Sequence, residues 1–217
     1  LSMAGALCLW MGVMEVLRRA GAIRWLSRLL RPALGRLYPD FARDSGVMES
    51  ISANVSANLL GYPYTVVSPR VSKLADLDRV DPKVFLRYLQ LSSVMPVMNI
   101  AFAPWNITDP AVAASCKAIV NDRARLGAYY EQMVSESKRT AEPVLRHLEY
   151  EFPRNGFTDC DDQFMLGSRF LIAPLLDGKN SRMVRFPRGI WVDASGKRYR
   201  GPLVTTVTAS NDHVLYF

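Results

Sequence analysis

The sequence predicts an α+β protein in three parts: N-terminal helices, an end fragment of a (β/α)8 barrel, and a C-terminal antiparallel β-sandwich. Three observations predict it. Apolar residues recur at helical spacing through residues 1–61, a β-branched segment followed by two Pro-initiated helices occupies 62–152, and short β-rich runs divided by turn residues fill 153–217.

Composition sets the outer bounds. A chain of 217 residues with 49% hydrophobic and 22% charged residues is long enough for one sizeable core or two small ones. The 27 Lys and Arg against 20 Asp and Glu give +7. Arg18, Arg19, Arg24, Arg28, Arg31, Arg36 and Arg43 concentrate that excess at the N-terminus. No helix-turn-helix, zinc-finger or aromatic RNA-stacking motif accompanies the charge, so no nucleic-acid partner is expected. Cys8, Cys116 and Cys160 are odd in number and lack a CxxC spacing, which predicts core thiols, no disulfide framework and no metal site.

Residues 1–17 (LSMAGALCLWMGVMEVL) are apolar but shorter than the roughly 20 residues a membrane span needs. Arg18 and Arg19 follow this run, whereas a signal peptide carries its cations before it. In residues 23–37, Ile23, Leu26, Leu30, Leu34 and Leu37 share one helical face and Arg24, Arg28 and Arg31 another. Such a basic amphipathic helix either packs on the rest of the protein or makes residues 1–37 a membrane-surface contact. Residues 47–61 (VMESISANVSANLLG) predict a small-residue helix ending at Gly61.

Residues 62–71 (YPYTVVSPRV) then predict a short buried strand and the loop leaving it. Asp81-Pro82 starts a helix carrying Val84, Phe85, Tyr88, Leu89 and Leu91 toward Pro96. Asp109-Pro110 starts one long helix through Ala128 to about Arg139. A single strand with these helices suits a barrel end, but it has no neighbour to pair with. Strands are expected at 164–166, 170–176, 183–186, 190–193, 203–208 and 214–217, with turns at Gly167, Asp177-Gly178, Pro187-Arg188-Gly189, Ser195-Gly196 and Gly201-Pro202.

Four segments in order, FLRYLQLSSVMPVMN (85–99), PVLRHLEYEFP (143–153), DDQFMLGSRFLIAPLL (161–176) and FPRGIWVDASGKRYRGP (186–202), resemble the C-terminal third of glycoside hydrolase family 31. The likeness is strongest to an animal branch that also carries an APW segment like Ala103-Pro104-Trp105. The resemblance implies retaining hydrolysis of α-linked sugars by two Asp residues, with no cofactor. Their W-x-D-M-type and G-D-N-type motifs are absent from this sequence, so no catalytic residue is assigned. Asp161 and Asp162 are adjacent and would point to opposite faces of a strand; Asp76, Asp78 and Asp81 read as a solvated loop and helix cap.

A carbohydrate partner is implied, with Asn99, Arg70 and Tyr64 as candidate sugar contacts. Asn99 stands where the family carries an Arg-rich segment and a sugar-contacting His. Arg70, in Ser68-Pro69-Arg70, stands where an Asp is usual, which reverses the local charge. Upstream, LCLWMGVMEVLRRAG, SRLLRPALGRLYPD and ISANVSANLLG resemble spore maturation protein A, a bacterial membrane protein of the nucleoside-recognition gate type. The expected organisation is therefore a helical segment over 1–61, a barrel end over 62–152 and a sandwich over 153–217. The alternative is a membrane-associated structural or interaction protein located by residues 1–61.

Overall fold

The computed structural model describes residues 45–67, 82–100, 103, 106–176 and 179–217. The expected helices in 1–37, and with them the membrane contact, lie outside these residues, as do Arg70, Asp76, Asp78 and Asp81. Among the described residues no helix is long and apolar enough to cross a membrane. One compact unit spans Gly46–Phe217.

Helix α1 (Ser45–Leu59) ends where Gly61 adopts φ 90°, a conformation that costs a residue without Cβ little. Val47, Ile51 and Val55 recur every fourth position and bury one stripe against Val67, Tyr88, Leu91 and Phe164. Buried Asn58 ties this helix down. Its amide nitrogen donates to Asn54 O (3.0 Å) and Thr65 Oγ1 (2.9 Å), while its amide oxygen accepts from Leu145 N (3.2 Å).

Strand β1 (Val66–Val67) is shorter than the sequence predicts and only half buried, with Val66 exposed and Val67 in the core. Contrary to expectation, it has a neighbour. After helix α2 (Pro82–Ser93) the chain enters strand β2 (Val97–Met98), which lies parallel to β1 with Val66 opposite Val97 and Val67 opposite Met98. A parallel pair requires such a crossover connection. Helix α2 is buried on all sides from Phe85 to Ser93, although the sequence shows only a one-sided apolar stripe.

The single helix expected from Asp109 to Arg139 is two. Helix α3 (Pro110–Arg125) is capped by Asp109, whose carboxylate accepts from Ala111 N (2.8 Å) and Val112 N (3.4 Å). At Leu126 (φ −86°, ψ −1°) the backbone stays right-handed but its N–H bonds to Arg123 O (3.1 Å), three residues back, and helix α4 (Gly127–Thr140) begins at a glycine that gives little resistance to the break. Arg123 then sits 3.4 Å from the ring centroid of buried Tyr130.

The remaining elements are sheet-rich. Strand β3 (Leu145–His147) runs into the one-turn helix α5 (Leu148–Glu151), then β4 (Phe164–Leu166) and β5 (Phe170–Ile172) complete an antiparallel sheet in the order β3-β4-β5. The C-terminal residues return alongside β5 through paired Leu171 and Phe217 backbone bonds, each 3.0 Å. Strands β6 (Ser181–Val192) and β7 (Arg198–Thr208) form a long antiparallel ribbon. The core between the two sheets is aromatic: Phe186 stacks on Tyr199 (4.7 Å, 9°) and meets Phe217 edge-on (4.7 Å, 79°).

The turn expected at Pro187-Arg188-Gly189 is instead a bulge inside β6, where the register shifts between Phe186 and Gly189. Two features hold the extra residues. The Trp191 indole donates to Pro187 O (2.9 Å), and Gly201 opposite leaves room for that carbonyl. A Cβ at Gly201 would lie 1.9 Å from Pro187 O. Gly201→Ala is therefore expected to destabilise the chain by about 3 kcal/mol, since backbone rather than a flexible side chain must yield. A thermal melt checks this, with Gly127→Ala as the comparison, where nothing lies within 4 Å and the backbone is not left-handed.

Candidate functional site

In open α/β arrangements, ligands gather beyond the carboxyl ends of parallel strands, where side chains converge without blocking the ladder. Here those ends follow Val67 and Met98. Asn99 is the first residue beyond β2 and is half buried. Its backbone is pinned at both polar atoms: Asn99 N donates to Ser92 Oγ (2.8 Å), and the same hydroxyl donates to Asn99 O (3.0 Å). Ser92 is fully buried in α2, so the exit of the chain from β2 is fixed by the preceding helix. Arg123, reaching from α3, donates to Ser93 O (3.3 Å) and Pro96 O (2.9 Å) and braces the turn into β2.

Of the three candidate contacts, Arg70 lies outside the described residues. Tyr64 precedes β1, so it lies at the amino end of the parallel pair and Asn99 at the carboxyl end. Tyr64 is 57% exposed, with Lys138 Nζ 6.0 Å from its ring centroid. The structure thus does not bring Tyr64 and Asn99 together. Sequence reasoning missed Ser92 and Arg123. A serine in an apolar helix and an arginine on a polar one carry no local signal of this bracing.

A second concavity, of about 670 Å³, lies beside β4 and β6. It holds Asp159, Asp162, Gln163, Lys179, Arg182 and Arg185. Each of its two carboxylates is paired with an arginine. Arg182 pairs with Asp162 and also donates to Pro174 O (2.7 Å), and Arg185 reaches Asp159 at 3.1 Å. Hydrogen bonding from Arg185 holds the Asp159 carboxyl below its usual range. Asp161 pairs instead with His147 (3.6 Å). Asp161 and Asp162 lie in a turn rather than on a strand, and each engages a different partner, so they form no facing dyad. Among the described residues no aromatic ring lines this groove to stack on a sugar.

Burial pushes Cys116 and Cys160 up to about 11, which suits the core thiols expected; Cys8 lies outside the described residues. Among the described residues no cluster of His, Cys, Asp and Glu could hold a metal ion.

The comparisons bear first on the sheet-rich end. Residues 141–217 match the Glycosyl hydrolase family 31 C-terminal domain. Beyond that domain, the chain is homologous to the myogenesis-regulating glycosidase of Mus musculus, with 27% identity over 186 residues that cover 80% of this chain and 26% of the mouse protein. An alpha-glucosidase of Saccharolobus solfataricus is 34% identical over 76 residues, 35% of this chain and 11% of that protein. Family 31 solved structures share the fold. An alpha-xylosidase from a soil metagenome, complexed with xylose, superposes with TM-score 0.65 at 22% identity, covering 76% of this chain and 29% of that one. A dextranase of Flavobacterium johnsoniae, complexed with glucose, gives 0.66 at 22%, covering 78% and 22%.

The chain spans about a quarter of the length of the mouse relative. That match also covers more of this chain than residues 61–217 contain, so the likeness reaches upstream of Gly61. The comparisons lend no support to the resemblance to spore maturation protein A. Its ISANVSANLLG segment lies largely on α1, whose valines and isoleucine pack into the same core as β4 and α2. Its other segments lie outside the described residues.

Proposed function

We propose that this chain is the carboxyl-terminal part of a family 31-type glycosidase acting on α-linked sugars. The observation that carries the reading is the family match over residues 141–217, which follows a parallel β1-α2-β2 unit and helices α3 and α4. In this reading, 62–152 supplies the last strands and helices of a (β/α)8 barrel, and 153–217 is the β-domain that supports them. Asn99, just beyond the carboxyl end of β2, contacts the sugar, and Arg70 is a candidate contact that brings a cation where the family usually has a carboxylate. Tyr64 is a more distant contact. The W-x-D-M-type and G-D-N-type motifs that carry the family's two Asp residues do not occur in this chain, so it does not hydrolyse glycosides alone.

The test is incubation of the purified chain with aryl α-glucosides and α-galactosides. No turnover above buffer is expected. Turnover that disappears on changing any single Asp of the chain to Asn would overturn the proposal, because it would reveal a nucleophile or acid/base that the motif reading lacks.

A further inference from the structure

The two edges of the β6-β7 ribbon are treated differently. Along β6, side chains occupy the free edge: Gln163 Nε2 donates to Arg185 O (3.0 Å), Arg185 N donates to Gln163 Oε1 (2.8 Å), and Arg182 Nε donates to Met183 O (3.1 Å). Gln163 thus imitates a neighbouring strand and closes that edge.

These bonds also orient β7. Opposed residues of an antiparallel pair either exchange both backbone bonds or neither. Arg185 spends its N–H and C=O on Gln163 and lies opposite Val204, so the Val204 N–H and C=O point away from β6. Alternation then turns Thr206 outward as well and Thr205 and Val207 inward. Ala209 N donating to Asn180 O (2.8 Å) agrees with this phase. Val204 and Thr206 have no backbone partner on that side among the described residues. Val204 is 57% exposed and Leu203 37%. The stretch LVTTVT (203–208) is uncharged, β-branched and free of Pro, so nothing in it repels an added strand.

We propose that this edge joins a second copy of the chain, antiparallel, about a two-fold axis normal to the ribbon. Such an axis keeps the same face of both ribbons on the same side, so only residues of like orientation can be opposed. With Thr205 on the axis, Val204 of one copy faces Thr206 of the other, and these are the residues whose N–H and C=O point outward. Each such pair exchanges both backbone bonds. On the inner face, Leu203 lies opposite Val207 of the other copy, whose own side chain is already buried in its core. Lys and Arg are absent from the joined stretch, so two identical edges meet without like-charge repulsion. The result is one continuous sheet, β6-β7-β7-β6, whose outermost edges are those Gln163 and Arg182 already close.

Light scattering across a concentration series tests this on the whole chain. The expected mass is twice the 24.4 kDa of the chain. Thr206→Pro removes an outward N–H without touching the ladder to β6 and is expected to give a monomer with an unchanged circular dichroism spectrum. Thr206→Ala keeps the N–H and is expected to remain a dimer. A wild-type chain monomeric at every concentration, or a folded Thr206→Pro dimer, would overturn the proposal. Should Thr206→Pro unfold, Thr205→Cys in a Cys8→Ser background decides. Thr205 and its symmetry mate form a pair without backbone bonds, whose Cα separation of about 4.5 Å suits a disulfide. Oxidation is expected to yield a covalent dimer, and failure to cross-link would overturn the assignment.

Discussion

Replacing Phe186 by alanine is expected to lower the unfolding free energy by about 3–5 kcal/mol, the range for truncating a fully buried phenylalanine. Phe186 is 1% exposed and stands between the stacked Tyr199 ring and the edge-on Phe217 ring. Tyr199 and Phe217 also meet each other edge-on at 5.4 Å, so the three rings form one closed contact. Its removal opens a cavity that neither β7 nor the C-terminal residues can fill without breaking the ribbon ladder or the Leu171–Phe217 bonds. Urea denaturation followed by tryptophan fluorescence measures the loss, and Trp191 in the same cluster reports on it. Ile190→Ala is the control. Ile190 is 69% exposed on the same strand, and its truncation is expected to change stability by less than about 0.5 kcal/mol. Equal losses from both variants would show that the aromatic cluster is not the centre of this core.

Gln90→Leu is expected to cost about 3 kcal/mol despite nearly preserving volume. Gln90 is 1% exposed, and its amide donates to Asn211 O (2.9 Å), His213 O (3.0 Å) and, more weakly, Ser210 O (3.4 Å). Its amide oxygen accepts from Arg87 (3.1 Å), which in turn donates to Asn180 Oδ1 (2.9 Å) and Lys179 O (3.2 Å). Leucine leaves these half-buried carbonyls without their donor and takes an acceptor from a buried guanidinium, a buried orphan that costs about 1–3 kcal/mol. From α3, Ser115 Oγ donates to Asp212 Oδ1 (2.9 Å) and holds the same C-terminal segment. Hydrogen exchange should therefore rise first over residues 210–213. Exchange that rises uniformly over the whole chain would argue against a local clamp.

These two residues mark what could be read beforehand and what could not. Phe186 lies in an alternating run with Val184, and period-2 alternation is a local property that states which face is buried. The same logic made the starts at Pro82 and Pro110, the stop at Gly61 and most C-terminal strands legible. Gln90 and Arg87 lie on a helix whose apolar stripe is visible. Their own burial is not, because it depends on carbonyls about 90–120 residues away that no window contains. The bulge at 187–189 escaped for the same reason: its residues are turn formers, and only Gly201 and Trp191 across the ribbon make an extended path the better solution.

By itself, the sequence determined the mixed helix and sheet content and the family resemblance of the β-rich end, because each rests on local periodicity or contiguous motifs. Tertiary structure alone decided that β1 has a parallel neighbour, that Asn99 is pinned by Ser92 at the carboxyl end of that pair while Tyr64 lies at the other, and that one ribbon edge is closed by Gln163 while Val204 and Thr206 on the other have no backbone partner among the described residues. Each of these depends on hydrogen bonds between residues distant along the chain, whose partners are selected by packing rather than by neighbours in sequence.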